Sequence, residues 1–178
     1  MHIAVYSMSN LEYEKVENGW VVKSDPGEPG LGLKRWSVSK YEANFLSNLF
    51  RGLTVLEIGT GLGVATNFIA TNAKWVHTVD IDPWVKETIM PILLPNVTFC
   101  ENIEKVSGKF DAAFIDGLHT YEQCKEDIEI CKKMVKSGGI IVLHDLNMAP
   151  VTQAARESGT EFYQIVTGAG LGIGWNYG

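Results

Sequence analysis

Cysteine, basic charge and long apolar runs are all scarce in this chain, and each scarcity removes a class of protein. Three cysteines in 178 residues, Cys100, Cys124 and Cys131, include no Cys-x-x-Cys pair and leave an odd count. Neither a disulfide framework nor a cysteine-based zinc cage is indicated, and the thiols read as small buried apolar groups. Lys and Arg number 15 against 21 Asp and Glu, a formal charge of −6, and the basic residues cluster no further than pairs such as Lys34-Arg35 and Lys132-Lys133. Such a surface repels phosphate backbones and disfavours nucleic acid as a partner. No apolar run approaches the roughly 20 residues of a membrane helix. The opening MHIAVYSMSN also lacks the basic-then-apolar layout of a secretory leader, so a cytoplasmic chain with no membrane partner is expected. Internal repeats and low-complexity tails are missing too.

What is present suits one folded unit: 46% of the residues are hydrophobic and 20% charged, enough for a core that needs no staples. Residues 1–33 differ in texture from the rest. Runs at Leu11–Val16 and Trp20–Lys23 flank Glu17-Asn18-Gly19, a hairpin signal, and DPGEPGLG then discourages regular structure. The expected organisation is a hairpin-and-loop extension, 1–33, ahead of a main domain, 34–178.

From Ser37 the pattern turns helical, with Tyr41, Phe45, Leu46 and Leu49 at helical spacing and Ser37 or Ser39 as cap. Strands are expected at 54–58, 74–79, 97–100, 110–115 and 140–143, with helices near 63–72, 83–90, 121–136 and 150–157 between or after them. A closing pair of strands at 162–167 and 171–175 follows. Alternation of this kind implies an α/β fold: a doubly wound, Rossmann-like parallel sheet with helices on both faces.

Two stretches carry chemistry. In the first, TVLEIGTGLGVA at 54–65, a buried strand breaks into Glu57, Gly59, Thr60, Gly61 and Gly63 just before a helix. Glycines there let backbone amides approach a ligand at a helix N-terminus. A dinucleotide fingerprint, G-x-G-x-x-G, would need a small residue where Val64 stands. The next strand ends at Asp80, placed to accept both ribose hydroxyls of an adenosine, while Asp82 suits a cap before Pro83. In the second, FIDGLHTY at 114–121 and VLHDLN at 142–147 each end an apolar strand in acid and imidazole. Carboxyl ends of neighbouring parallel strands lie about 5 Å apart, so Asp116, His144 and Asp145 are candidate metal ligands. His119 or His144 is a candidate general base in the absence of a metal. The plainer alternative is that Asp116 and His119 cap the following helix.

The spacing E-x-G-x-G-x-G resembles the first motif of class I S-adenosylmethionine-dependent methyltransferases. D-G-x-H-x-Y followed by S-G-G-x-x-x-x-H-D, with G-L-G-I-G at 170–174, resembles a subgroup of small O-methyltransferase-like proteins over residues 37–178. The resemblance implies a seven-stranded sheet whose last strand runs antiparallel. It implies cofactor contacts at Glu57, Gly59, Thr60, Gly61, Gly63, Asp80, Ile81, Asn102, Ile103 and Asp116. It also implies a magnesium-type site at Asp116, His144 and Asp145, although His144 departs from an all-oxygen ligand set and suits a softer ion. The expected activity is methyl transfer from S-adenosylmethionine to an oxygen of a small-molecule acceptor, assisted by Mg2+ or another divalent cation, with Asp116, His119 and His144 at the reacting centre. An inactive binding protein of the same fold and a nicotinamide oxidoreductase are the rivals, and a homo-oligomer stays open.

Overall fold

The computed structural model describes residues 38–178 together with 13–16 and 19–22. Two short strands, β1 (Tyr13–Val16) and β2 (Gly19–Val22), pair antiparallel, Val16 opposite Gly19. The linking Asn18, the loop at 24–32 and the expected boundary at 33/34 lie outside the described residues.

The remaining elements are α1 (Lys40–Leu49), β3 (Thr54–Ile58), α2 (Val64–Ala70), β4 (Trp75–Val79), β5 (Val97–Cys100), β6 (Phe110–Ile115), α3 (Tyr121–Met134), β7 (Val135–Leu143), α4 (Ala149–Glu157), β8 (Tyr163–Ile165) and β9 (Leu171–Trp175). Seven strands form one sheet in the order β5-β4-β3-β6-β7-β9-β8. β3 to β7 run parallel, and β9 pairs antiparallel with both β7 and β8. The expected architecture is therefore the observed one, with the last strand inserted inside the edge.

Each sheet face carries its own core. On one side α1 and α2 bury Leu46, Phe50 and Ile69 against Val55, Val76, Ala112, Phe114 and Val142. On the other, α3 and α4 bury Ile128, Cys131, Val151 and Ala154 against Leu56, Ala113, Ile115, Ile141 and Leu143. The alternation is that of a strand covered on both faces. Within α1 the packing stripe is Leu46 with Phe45 and Leu49 beside it, whereas Tyr41, expected in that stripe, is exposed. Ser39 is the N-cap, accepting from the Glu42 amide while Glu42 accepts from the Ser39 amide, a reciprocal box that starts the helix cleanly. Among the described residues no helix is long and apolar enough to cross a membrane.

Three boundaries differ from expectation. The helix expected at 83–90 is a wide turn at Val85–Ile89 followed by a tight one at Met90–Ile92, because Pro91 has no N–H to continue a helix. α3 stops at Met134 and β7 starts at once. The Asn176 side chain donates to the carbonyls of Lys132 and Val135, and the Gly138 amide donates to the Asn176 carbonyl, so Ser137-Gly138-Gly139 is held in the sheet. β8 covers three residues rather than six.

Candidate functional site

The backbone ladder runs one residue past the strand ends. Asp80 donates its amide to Cys100 (3.1 Å), Gly59 to Val79 (2.9 Å), Asp116 to Ile58 (2.8 Å) and His144 to Ile115 (2.9 Å). Asp80, Gly59, Asp116 and His144 thus stand in a row across four neighbouring strands, at the carboxyl edge where open α/β sheets hold their ligands.

Gly59, Gly61 and Gly63 all have positive φ, +94°, +50° and +70°. At Gly59 an added Cβ would lie 2.1 Å from the Asp116 carbonyl oxygen, so the loop presses directly on the wall that bears the second motif. At Gly61 the same atom would meet nothing within 4 Å: the loop faces open space there. Asp80 holds the loop in shape, its Oδ2 accepting from the amides of Thr60 (3.1 Å) and Gly61 (3.0 Å) and its Oδ1 from that of Asp82 (3.0 Å). A carboxylate offers about four acceptor directions; three are taken here, which leaves about one for a further donor. Asp82 accepts from the Trp84 amide (2.9 Å), the geometry of a cap. Ile81 is 85% exposed, an apolar face presented beside Asp80.

Glu57 is fully buried beneath this loop, accepting from the Thr66 hydroxyl of α2 at 2.6 Å. It reaches the cradle through α2 and not through the open space. Burial pushes its carboxyl up to about 8, against the hydrogen bonds of Thr66 and Thr78. A raised acid binds its proton more tightly in the folded state, so its contribution to stability is fully present below about pH 4.5 and is lost as pH rises through 8, about 5 kcal/mol in all. The expected result is that Glu57→Gln gains on the wild type in thermal unfolding as pH goes from 5 to 9. Parallel melting curves across that range would refute a buried neutral acid.

At the other end of the row, Asp116, His144 and Asp145 bring their ligating atoms within 4.8 Å of one another. His144 Nδ1 lies 3.1 Å from Asp116 Oδ1 and 3.0 Å from Asp145 Oδ2. His119 joins them, Nε2 2.9 Å from Asp145 Oδ2 and 3.5 Å from Asp116 Oδ1. Asp145 sits at φ +54°, and no other non-glycine among the described residues has a positive φ; such strain concentrates at working sites. The cap of α3 is Thr120, which accepts from the Gln123 amide, so Asp116 and His119 are not spent on capping. The Asp116 and Asp145 carboxylates beside Nε2 outweigh burial and bring the His119 ring up to about 9. Burial opposes charge on His144, yet Asp116, Asp145 and Glu42 raise it far above neutrality. Burial likewise works against charge on Asp116 and Asp145, and the two imidazoles overcome it and hold both carboxyls below the usual range.

Glu42 is a further member of this site that no sequence pattern assigns to it. It is buried behind His144, Oε2 3.6 Å from Nε2, and beyond its cap partner Ser39 it meets the Thr167 hydroxyl. The S-x-x-E box at Ser39–Glu42 was a visible signal, but one that a cap alone explains. Asn102 and Ile103 take other work: Asn102 is exposed and caps the tight turn Ile103–Lys105, while Ile103 packs on the α3 side of the core. Tyr121 points to Glu157 and Lys125 rather than to His119.

The doubly wound sheet thus brings a glycine loop after β3, an acid at the tip of β4 and an Asp/His cluster after β6 and β7 to one carboxyl edge. The methyltransferase domain family matches residues 56–146, about half of the chain, and the chain belongs to that family. It is similar, at 24% identity over 82% of its length, to phosphoethanolamine N-methyltransferase 1 of Caenorhabditis elegans, spanning 34% of that relative. Cofactor-bound Rv0187 from MTB shares the fold with a TM-score of 0.69 and 22% identity, over 82% of this chain and 84% of that one. So does the O-methyltransferase from Bacillus cereus in complex with SAH, with a TM-score of 0.62 and 20% identity over 78% and 82%.

Proposed function

We propose that this methyltransferase transfers the methyl group of S-adenosylmethionine to a hydroxyl oxygen of a small molecule, with a divalent cation at Asp116, His144 and Asp145. The carrying observation is the contact of Gly59 with the Asp116 backbone, which puts the cradle for the donor and the cluster for the acceptor on adjacent strand ends. Methyl transfer needs donor carbon and acceptor oxygen about 3–3.5 Å apart and in line, and sites on adjacent strand ends are close enough for one donor to reach both.

The residues fit both groups. For the donor, Asp80 has an acceptor direction left for a ribose hydroxyl, Gly61 opens on free space, and Ile81 offers an apolar face for adenine. The SAH in the Bacillus cereus enzyme of the same fold supports this choice. For the cation, two carboxylates and an imidazole converge from neighbouring strands. A bound dication would supply a Lewis acid that lowers the pKa of the acceptor hydroxyl and orients it. The protein's part is then electrostatic: Asp116 and Asp145 stay ionised and set a negative field at the end of the cradle, and Asp80 fixes the donor. Without a cation, Asp116 and Asp145 hold the protons of His119 and His144, so neither imidazole is a free base; a cation at Asp116, His144 and Asp145 would bind His144 with release of that proton.

The test is transfer of labelled methyl from S-adenosylmethionine to a panel of catechol and sugar hydroxyls, with and without chelator. Label is expected on oxygen, lost on chelation and in Asp145→Asn. Undiminished transfer under chelator would overturn the cation's part. Donor binding without transfer to any acceptor would favour a binding protein.

A further inference from the structure

Nine large apolar side chains are exposed among the described residues, and five of them, Tyr41, Ile81, Leu118, Met148 and Val166, stand beside members of the site. Ile81 follows Asp80, Tyr41 precedes Glu42 in the first turn of α1, and Leu118 lies between Asp116 and His119. Met148 donates its amide to the Asp145 carbonyl at 2.8 Å. Val166 precedes Thr167, whose hydroxyl meets the Glu42 carboxylate. Of the other four, Trp75 and Tyr177 lie at the opposite, amino edge of the sheet, Tyr163 packs on the Trp175 ring, and Met90 belongs to the turn Met90–Ile92. Single exposed apolar residues need no explanation, but a gathering at one edge marks a binding surface.

The segment that carries Val166 is fixed against the one that carries Met148. Leu146 and Asn147 donate their amides to the carbonyls of Gly170 (3.1 Å) and Ala169 (3.2 Å). The Asn147 side chain donates to the Gly168 carbonyl at 3.2 Å and accepts from the Gln164 amide group at 2.7 Å. Gly170, at φ +87°, comes so close that a Cβ there would lie 2.8 Å from Asn147 Oδ1. A frame of this kind places apolar side chains before a ligand arrives, which lowers the entropy cost of binding.

We infer that Tyr41, Leu118, Met148 and Val166 select the acceptor: a compound with an apolar body, aromatic or aliphatic, that carries its reacting hydroxyl at one end, in preference to a sugar. The inference rests on the reading of methyl transfer to oxygen above and names its substrate class. The hydroxyl belongs at Asp116 and Asp145, whose side chains keep 19% and 23% exposure, while the body leaves water against the rim. A sugar would bring its remaining hydroxyls against Leu118, Met148 and Val166, which offer them no side-chain partner. A protein or membrane surface would seal both carboxylates beneath apolar groups, and burying charge in that way is costly.

The experiment measures transfer of labelled methyl by the full-length protein to two series of acceptors, 4-alkylcatechols and alkyl glycosides, each with methyl, propyl and hexyl chains. From methyl to hexyl, kcat/KM is expected to rise at least about tenfold in either series, through KM with kcat held, and catechols should exceed glycosides at every length. Leu118→Ser, Met148→Ser and Val166→Ser should each lower kcat/KM for the hexyl acceptors about 3–10-fold and flatten the dependence on chain length, with affinity for S-adenosylmethionine unchanged. Tyr177→Ser, at the amino edge, should keep the wild-type dependence. A kcat/KM indifferent to chain length, a preference for glycosides, or the wild-type dependence in all three site variants would overturn the inference. So would sedimentation with phosphatidylcholine vesicles, or a dimer, that the three serine variants abolish, since the rim would then serve a membrane or a second copy. If no acceptor is methylated, the reading above fails and binding decides the inference by itself. Calorimetry of the complex with S-adenosylhomocysteine should then show 4-propylcatechol bound, about tenfold more weakly in Leu118→Ser; absence of binding, or equal binding in that variant, would overturn it.

Discussion

Gly59→Ala is expected to be the most damaging single substitution in the chain. The new methyl would stand 2.1 Å from the Asp116 carbonyl oxygen and 2.6 Å from its carbon, at a residue with φ +94°. Backbone cannot yield there cheaply, because the Asp116 amide is tied to Ile58 and the Gly59 amide to Val79. Conformational strain of about 1–2 kcal/mol adds to the overlap, and a total of about 3–5 kcal/mol places the change among the exceptional ones. Thermal unfolding should show a fall of about 10 °C or more. Whatever folded protein survives should bind both donor and cation poorly, since the displaced carbonyl belongs to a residue of the cluster. A melting temperature within about 2 °C of wild type would mean that the loop does not pack on β6 in this way.

Asp80→Ala is expected to cost about 100-fold in affinity for S-adenosylmethionine while leaving most of the stability intact. Two losses combine. The carboxylate no longer accepts from the Thr60 and Gly61 amides, so the cradle loosens, and the ribose loses a charged acceptor; hydrogen bonds to charged groups are worth about 1.5–3 kcal/mol each, and about 2.7 kcal/mol is a hundredfold. Asp80→Asn separates the two, since its amide oxygen can still hold the loop. Asp82→Ala is the control: it removes a cap on the Trp84 amide, costs about 1 kcal/mol of stability and spares binding. Calorimetric titration of the three variants distinguishes these effects. Unchanged affinity in Asp80→Ala would remove the ribose assignment.

Most of the fold could be read from one-dimensional signals. β3, β5, β6 and β9 begin and end where apolar runs do, because a strand covered on both faces is mostly apolar; the charged exceptions, Glu57 and Asp111, have partners of their own. Boundaries failed where a distant group decides them: Asn176, at the far end of the chain, holds the residues that would otherwise turn from α3 into β7, and no local pattern announces it. The site behaved alike. Asp80, Asp116, His144 and Asp145 were legible because parallel strands present their carboxyl ends along one edge. His119 was visible as a residue, but its approach to both carboxylates needed the loop geometry, and Glu42 needed the packing of α1 behind β7. Asn102 and Ile103, placed by family likeness alone, have local roles that a short polar turn explains.

The adenosyl donor is expected in the open space before Gly61, against the Asp80 carboxylate, with its reactive end toward Asp116. A crystal structure of the protein with S-adenosylhomocysteine tests this directly. The ribose hydroxyls should lie on the Asp80 carboxylate, adenine on Ile81, and the sulfur on the side of the loop nearest Asp116. A ligand bound elsewhere at saturation, or a crevice filled by the protein's own side chains, would contradict it.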